Sequence, residues 1–254
     1  MKNDAGTSRG VKVVRIGTAG WTIPKQHTSL FPTEGSHLER YARSFNCVEV
    51  NSSFHRPHMP KTWQRWAEST PPDFKFAVKM PKAITHEAKL LNAGALLQAF
   101  LEQVHGMGEK LGPLLIQLPP KLAFDEGVAH EFFTTFRELH ASAAVLEPRH
   151  VSWFTPTVER FLRGFEISRV AADPAKGSTL ASRPGGWQAL RYYRLHGAPR
   201  TYYSDYSGDF LEDFATSLRD ETPAITKEIW VVFDNTALGH ATANALELTR
   251  LIHR

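Results

Sequence analysis

The chain has 254 residues, a single cysteine (Cys47), 42% hydrophobic and 22% charged residues. That length buries a sizeable core without help from metals, and one cysteine excludes an internal disulfide framework. Thirty Lys and Arg against 26 Asp and Glu give a formal net charge of +4 and a pI of about 9.2, which suits an anionic partner but is no nucleic-acid signature by itself.

Residues 1–10, MKNDAGTSRG, are polar and lack the apolar region of a signal peptide. They read as a loose tail ahead of one domain spanning 11–254. No apolar run approaches the ~18 residues of a membrane span. The expectation is a cytoplasmic protein without membrane contact; its oligomeric state is left open.

Short apolar or β-branched runs then recur in chain order: VVRIGTAG (13–20), NCVEVNS (46–52), FKFAVKMP (74–81), GPLLIQLPP (112–120), AAVLEPRH (143–150), EISRVAAD (166–173), LRYYRLHG (190–197) and IWVVFDNT (229–236). They lie roughly 23–39 residues apart, the length of a βα unit. Helix signals fall between most of them. SHLERYARSF opens with a capping box, Ser36 with Glu39. TPTVERFLRG has Thr155 as cap, Pro156 in the first turn and Gly164 as stop. Leu246, Leu248, Leu251 and Ile252 give the last helix an apolar side. Strands alternating with helices predict a parallel sheet, and eight repeats predict a single α/β (β/α)8 TIM-like barrel. The sixth connection, PAKGSTLASRPGGWQ (174–188), reads as an irregular Pro/Gly-rich loop.

In such a barrel one strand parity faces the helices and the other the axis. Val48 and Val50 then pack outward, while Glu49 and Asn51 point inward near the strand's C-terminal end, where barrel active sites lie. Lys79, Gln117, Glu147, Arg149, Asp173, Arg194, His196, Asp234 and Asn235 stand at the other strand ends. Polar side chains converging on one mouth are expensive to bury without a ligand or mutual pairing.

The segments IGTAGW, VEVNSSFHR, KMPKAITH, LGPLLIQLPP, EPRHVSWF, YYRLHG and the late FDN together resemble the YecE-like family, domain of unknown function 72. The resemblance covers nearly the whole chain after the tail. It implies a TIM-barrel fold and no known activity. The chain departs from the family pattern at Ser53-Phe54-His55-Arg56, where Thr-Phe-Tyr-Arg is frequent, and at Val151, where Pro is usual. It departs again at Asp234-Asn235, where Asn-Asn is usual, and this last change adds a carboxylate.

Glu49 and Glu147 are the candidate acid/base pair, since a carboxylate in a half-dry mouth can be tuned for proton transfer. The alternative is that both are structural partners of Arg149, Arg194 or Lys79. A sugar hydrolase is disfavoured, because Gln117 and His196 stand after strands four and seven, where glycosidase barrels hold their carboxylates. Lys79, Arg149 and Arg194 suit a phosphate or carboxylate, or else balance Glu49, Glu147 and Asp173. Lys79 as a Schiff-base nucleophile requires a depressed pKa that no sequence feature reveals. His196 is a candidate proton carrier or a hydrogen-bonded barrel residue.

Trp21, Phe54, Trp153, Tyr203 and Tyr206 are candidate stacking residues or a cover on the core, with Asn51, Gln117 and Asn235 as orienting amides. No HExxH or CxxC spacing points to zinc, and no cofactor is predicted. Divalent Mg or Mn bound through Glu49, Glu147 or Asp173 stays open. ALGHATANA offers helix N-terminal amides to a phosphate. The favoured function is an enzyme acting on a small anionic or polyhydroxylated, phosphosugar-like molecule, its reaction open among hydrolysis, isomerisation and elimination. Two alternatives remain: a nucleic-acid binding or processing protein, and a non-catalytic metabolite-binding protein.

Overall fold

The computed structural model describes residues 13–220 and 222–254. The expected tail at 1–10 lies outside the described residues. The strands are β1 (Val13–Thr18), β2 (Cys47–Val50), β3 (Lys75–Lys79), β4 (Leu111–Gln117), β5 (Ala144–Glu147), β6 (Ile167–Arg169), β7 (Ala171–Asp173), β8 (Gly185–Gly186), β9 (Leu190–Leu195) and β10 (Glu228–Phe233). The helices are α1 (His37–Ala42), α2 (Pro60–Glu68), α3 (Gly94–Val104), α4 (Glu126–Leu139), α5 (Pro156–Gly164), α6 (Gly208–Asp220) and α7 (His240–Ile252). Between β7 and β9 there is no α-helix, only a single 3-10 turn at Thr179–Ser182 and the two-residue β8. The Pro/Gly-rich sixth connection is irregular, as its composition predicts.

Local chemistry sets the helix starts. Ser36 and Glu39 form the complete capping box of α1. The Thr155 hydroxyl accepts the Val158 amide at the head of α5, with Pro156 in the first turn. Gly164 is the last residue of α5 and not a left-handed stop; the left-handed position is Glu166, at φ 54°.

Backbone ladders form two arcs, ordered β1-β10-β9-β7 and β2-β3-β4-β5-β6-β8. All ladders are parallel except the short β6–β8 pair. The arcs meet at both ends. At one end β6 and β7 form a single strand that changes partner at Val170: β6 pairs with β5, and β7 with β9. At the other end β1 and β2 share the bridge Ala19–Glu49, with the Gly20 amide donating to the Glu49 carbonyl at 2.8 Å.

Below that bridge, side chains replace the ladder. Asn46 accepts the Ile16 amide and donates to the Val14 carbonyl, each at 2.9 Å. The Tyr41 hydroxyl accepts the Thr18 amide at 2.8 Å and donates to the Cys47 carbonyl at 3.1 Å. Gly17 permits the close approach, since a Cβ there would lie 2.2 Å from the Cys47 carbonyl oxygen. The result is a TIM-barrel-like ring of eight strands.

Two apolar layers follow from strand parity. Val48, Val50, Val78, Leu114, Ile116 and their neighbours pack outward against the helices. Cys47, Ala77, Leu115, Val145, Val170, Leu190, Tyr192, Trp230 and Val232 fill the axis. Tyr192 and Trp230 stack there at 5.9 Å, and Gly112 leaves room for the indole. The axis is a packed floor, and the inward positions above it carry the polar residues.

The Tyr41 seam is testable. Tyr41→Phe leaves the Thr18 amide and the Cys47 carbonyl buried without that partner, so stability should fall by ~1–3 kcal/mol in urea unfolding. Tyr203→Phe, on an exposed rim side chain, should leave it unchanged.

Candidate functional site

The inward parity that builds the floor continues upward. Above Cys47 stands Glu49, above Ala77 Lys79, above Leu115 Gln117, above Val145 Glu147, above Tyr192 Arg194 and His196, and above Val232 Asp234. All except Lys79 are buried.

Arg194 is the hub, at 1% exposure. Its Nε donates to Glu49 Oε2 at 3.0 Å and its Nη2 to Glu49 Oε1 at 2.7 Å, the planar two-point fit of guanidinium to carboxylate. Nη1 donates to Glu147 Oε2 at 2.5 Å, and Nη2 also reaches Asp234 Oδ2 at 3.1 Å. The Tyr192 hydroxyl donates to Glu49 Oε2 at 2.8 Å. Glu147 is equally saturated. Its Oε1 accepts Arg149 Nε at 3.0 Å and Nη2 at 2.8 Å, and Gln117 Nε2 donates to its Oε2 at 3.0 Å. His196 Nδ1 lies 2.9 Å from Asp234 Oδ2. Its Nε2 is buried, has no hydrogen-bond partner among the described residues, and stands 3.7 Å from Glu147 Oε1.

Burial opposes every charge here, and pairing decides the outcome. Burial raises the Glu147 carboxyl, but Arg194, His196 and Arg149 outweigh it and hold the group well below the ordinary carboxylate range. Asp234 is likewise raised by burial and lowered more by Arg194 and His196. His196 is pushed down by burial and by Arg194, yet Asp234 and Glu147 carry it above its ordinary 6.5.

Lys79 is different. Burial and Arg194 lower it to about 8 against the pull of Glu49, Glu147 and Asp234. Among the described residues its ammonium has no hydrogen-bonding or ion-pair partner; it stands 4.0 Å over the Phe54 ring. His86 meets the same ring edge-on at 4.9 Å, and burial, Lys79 and Arg149 all push its imidazole down.

The expected residues therefore divide. Glu49, Lys79, Gln117, Glu147, Arg149, Arg194 and His196 converge on the mouth, with Phe54 beneath the Lys79 ammonium. Asn51 follows Glu49 at the strand end, and its Oδ1 is buried without a partner among the described residues.

Other candidates sit elsewhere. Ser168, Val170 and Ala172 take the inward positions of the sixth strand, so Asp173 faces away and its carboxylate accepts the Tyr206 hydroxyl at 2.7 Å. Tyr206 packs on Phe210 and Phe233 in the outer layer. Asn235 also lies on the outward parity, donating to the Ser204 carbonyl and to Asn244 Oδ1 at 2.9 Å each. Trp153 is 1% exposed, with its indole N–H donating to the Leu122 carbonyl at 2.9 Å, so it is core and not rim. Trp21 packs edge-on against Trp66, beside a peripheral cleft that includes His37 and Arg65.

At the head of α7 the Ala241 amide already donates to the Asn235 carbonyl and the Thr242 amide to Gly239. Among the described residues no group of three or more His, Cys, Asp or Glu is arranged to hold a metal ion, since Glu49 and Glu147 are turned onto Arg194. Asp234 was expected only as one of the polar strand ends, with no role given to it, and Tyr192 was not expected at all. Both lie on the inward parity of their strands, which is the signal that finds them.

Residues 15–254 match the family model described as "Protein of unknown function DUF72". The chain is 36% identical to the Escherichia coli (strain K12) UPF0759 protein YecE over 107 residues, which are 42% of this chain and only 38% of the length of YecE. It is 24% identical to the Bacillus subtilis (strain 168) UPF0759 protein YunF, across 94% of this chain and 95% of YunF. Among solved structures, a DUF72 family protein from Enterococcus faecalis superposes with a TM-score of 0.79 at 20% identity, covering 95% of this chain and 96% of its own. One from Thermotoga maritima superposes at 0.77 and 23% identity, covering 95% and 100%.

Two predictions follow from the network. Glu49→Gln leaves Arg194 short of one charge partner in a buried site, so urea unfolding should show a loss of ~3–5 kcal/mol. A loss under ~1 kcal/mol would show that Glu49 is not needed to balance Arg194. The second concerns pH. A histidine raised above 6.5 on folding contributes stability that is complete below 6.5 and lost as pH rises through the raised value. The stability advantage of wild type over His196→Gln should therefore be largest below pH 6.5 and shrink toward pH 9; a difference constant across that range would contradict the assigned pairing.

Proposed function

The chain belongs to the DUF72 family, and from the geometry of its mouth we propose that it is an enzyme acting on a small anionic or polyhydroxylated compound of phosphosugar type. The observation that supports this is the unequal engagement of the charges. Glu49, Glu147 and Asp234 are all taken up by Arg194, Arg149 and His196. Arg149 is engaged only through Nε and Nη2, and Lys79 has no carboxylate partner among the described residues. With His196 protonated, the cluster of Lys79, Arg149, Arg194, His196, Glu49, Glu147 and Asp234 carries one net positive charge. An anion seated there neutralises it.

In this reading Glu49 and Glu147 do not carry the moving proton. Glu147 is held ionised far from neutrality, and a general acid or base works best near the operating pH. Both carboxylates instead fix Arg194 and Arg149. The proton carrier is His196, oriented through Nδ1 by Asp234 and left with Nε2 free of a hydrogen bond. An aspartate that fixes the tautomer and stabilises the imidazolium is a recurrent device of acid/base sites. Arg149 then grips the anionic group of the ligand with its unused N–H donors.

Thermal shift with inorganic phosphate tests the reading. Phosphate should raise the melting temperature of the wild type, by the equivalent of ~2.7 kcal/mol at a hundredfold excess over Kd, and Arg149→Met should lose most of that increment. An equal increment in both proteins sinks the proposal. So does a single-stranded oligonucleotide that stabilises the protein when phosphate does not.

A further inference from the structure

Lys79 stands out from the other cations of the mouth. It ends β3 on the inward parity, is partly buried, and sits over the Phe54 ring while its neighbours' carboxylates all face other cations. A lysine meant only to balance charge would be expected within ion-pair distance of one of them. A lysine meant to react needs the opposite: access to the mouth, shielding from water and no carboxylate holding its proton. We propose that Lys79 is an amine nucleophile that condenses with the carbonyl group of a small anionic oxo compound, such as an oxo acid or a phosphorylated ketose, to give an imine. The inference rests on the anion-binding reading of the same mouth and names its substrate class.

The step balances without an external reagent. The neutral amine attacks the carbonyl carbon, a C–N bond forms, and the carbonyl π pair moves to oxygen. That oxygen takes up the proton the nitrogen sheds. A second proton then converts the hydroxyl to departing water as the nitrogen lone pair makes the C=N bond. Overall, ammonium and carbonyl give iminium and water, with charge conserved. Hydrolysis returns the amine. The iminium draws electron density from the adjacent carbon, so a proton or carbon substituent there is more easily released. Arg149 would hold the anionic group, and His196 is the group in the mouth oriented to exchange protons.

Availability of the amine supports the chemistry. The groups acting on Lys79 are Arg194, which lowers it along with burial, and Glu49, Glu147 and Asp234, which raise it; His86 is a further neighbour across Phe54. With the balance at about 8, below the ordinary lysine value, a larger share of the side chains is neutral near pH 7.5 than for an ordinary lysine.

Reductive trapping tests it. The full chain is incubated with pyruvate and cyanoborohydride, digested, and mapped by mass spectrometry, with acetone as the probe of similar shape lacking the carboxylate. The expected result is an adduct on Lys79 at least tenfold faster than on the exposed Lys61, Lys82 and Lys121, with a rate rising through a midpoint near pH 8. Pyruvate should react faster than acetone, and Arg149→Met should remove that preference. Lys79→Arg, which keeps the positive charge but not the amine, should lose the fast adduct. Labelling of Lys79 no faster than of the exposed lysines overturns the proposal; if the phosphate shift persists, the anion-binding reading survives alone. Fast labelling with equal rates for acetone and pyruvate overturns the anionic substrate class.

Discussion

Arg194 is a guanidinium removed from water at the centre of the ring, and the upper half of the barrel is built to satisfy it. Leaving such a charge unpaired would cost several kcal/mol, so each of its three carboxylates is bound to the fold as tightly as any core residue. Those carboxylates come from β2, from β5 and from the residue that follows β10, while Arg194 itself is on β9. The pairings therefore tie strands of both arcs across the axis. Buried ion networks add little net stability compared with well-packed apolar residues. Their effect is geometric: the donors and acceptors have fixed directions, and the mouth keeps one arrangement.

The cations of the mouth form a graded series. Arg194 has three carboxylate partners and Arg149 one, whereas Lys79 rests on an aromatic face. Arg194, 1% exposed, is more deeply buried than Arg149, whose side chain is 18% exposed, and a charge with less access to water needs more compensation from protein. In the proposed reading, function is carried by the less compensated end. A side chain whose bonding capacity is spent on the scaffold has none left for a ligand. On that reading the two glutamates that attract attention in the sequence are supports, and His196, whose Nε2 is 3.7 Å from Glu147 and outside hydrogen-bond distance, is better suited to proton transfer.

Much of this was legible in the sequence. The eight apolar runs, the capping box at Ser36 and the Pro/Gly-rich stretch at 174–188 carry the fold, because each follows from local chemistry. Period-two alternation was enough to aim Glu49, Lys79, Gln117, Glu147 and Arg194 inward. The same rule, applied from Val170 and Val232, sends Asp173 and Asn235 outward and keeps Asp234 in; reading strand-end polarity without parity misplaces the first two. Trp153 and Tyr206 were not separable from rim aromatics, since a bulky ring under a loop and one over a mouth have the same composition around them. Which carboxylate pairs with which cation depends on contacts between residues more than a hundred positions apart, such as Glu49 with Arg194, and no local pattern encodes that.

The join between β1 and β2 has a consequence for how the chain comes together. β1 follows the early part of the sequence, yet its continuous ladder is with β10, running from Val13–Glu228 to Thr18–Phe233. Toward β2, its neighbour in sequence, it has one bridge and the side chains of Asn46 and Tyr41. During synthesis the arc from β2 to β6 can pair strand by strand as each leaves the ribosome. β1 meanwhile waits for a partner made some two hundred residues later, held near its place by an amide side chain and a phenol. β1 thus completes its ladder only with a strand far behind it in sequence, and Asn46 and Tyr41 act as its placeholders.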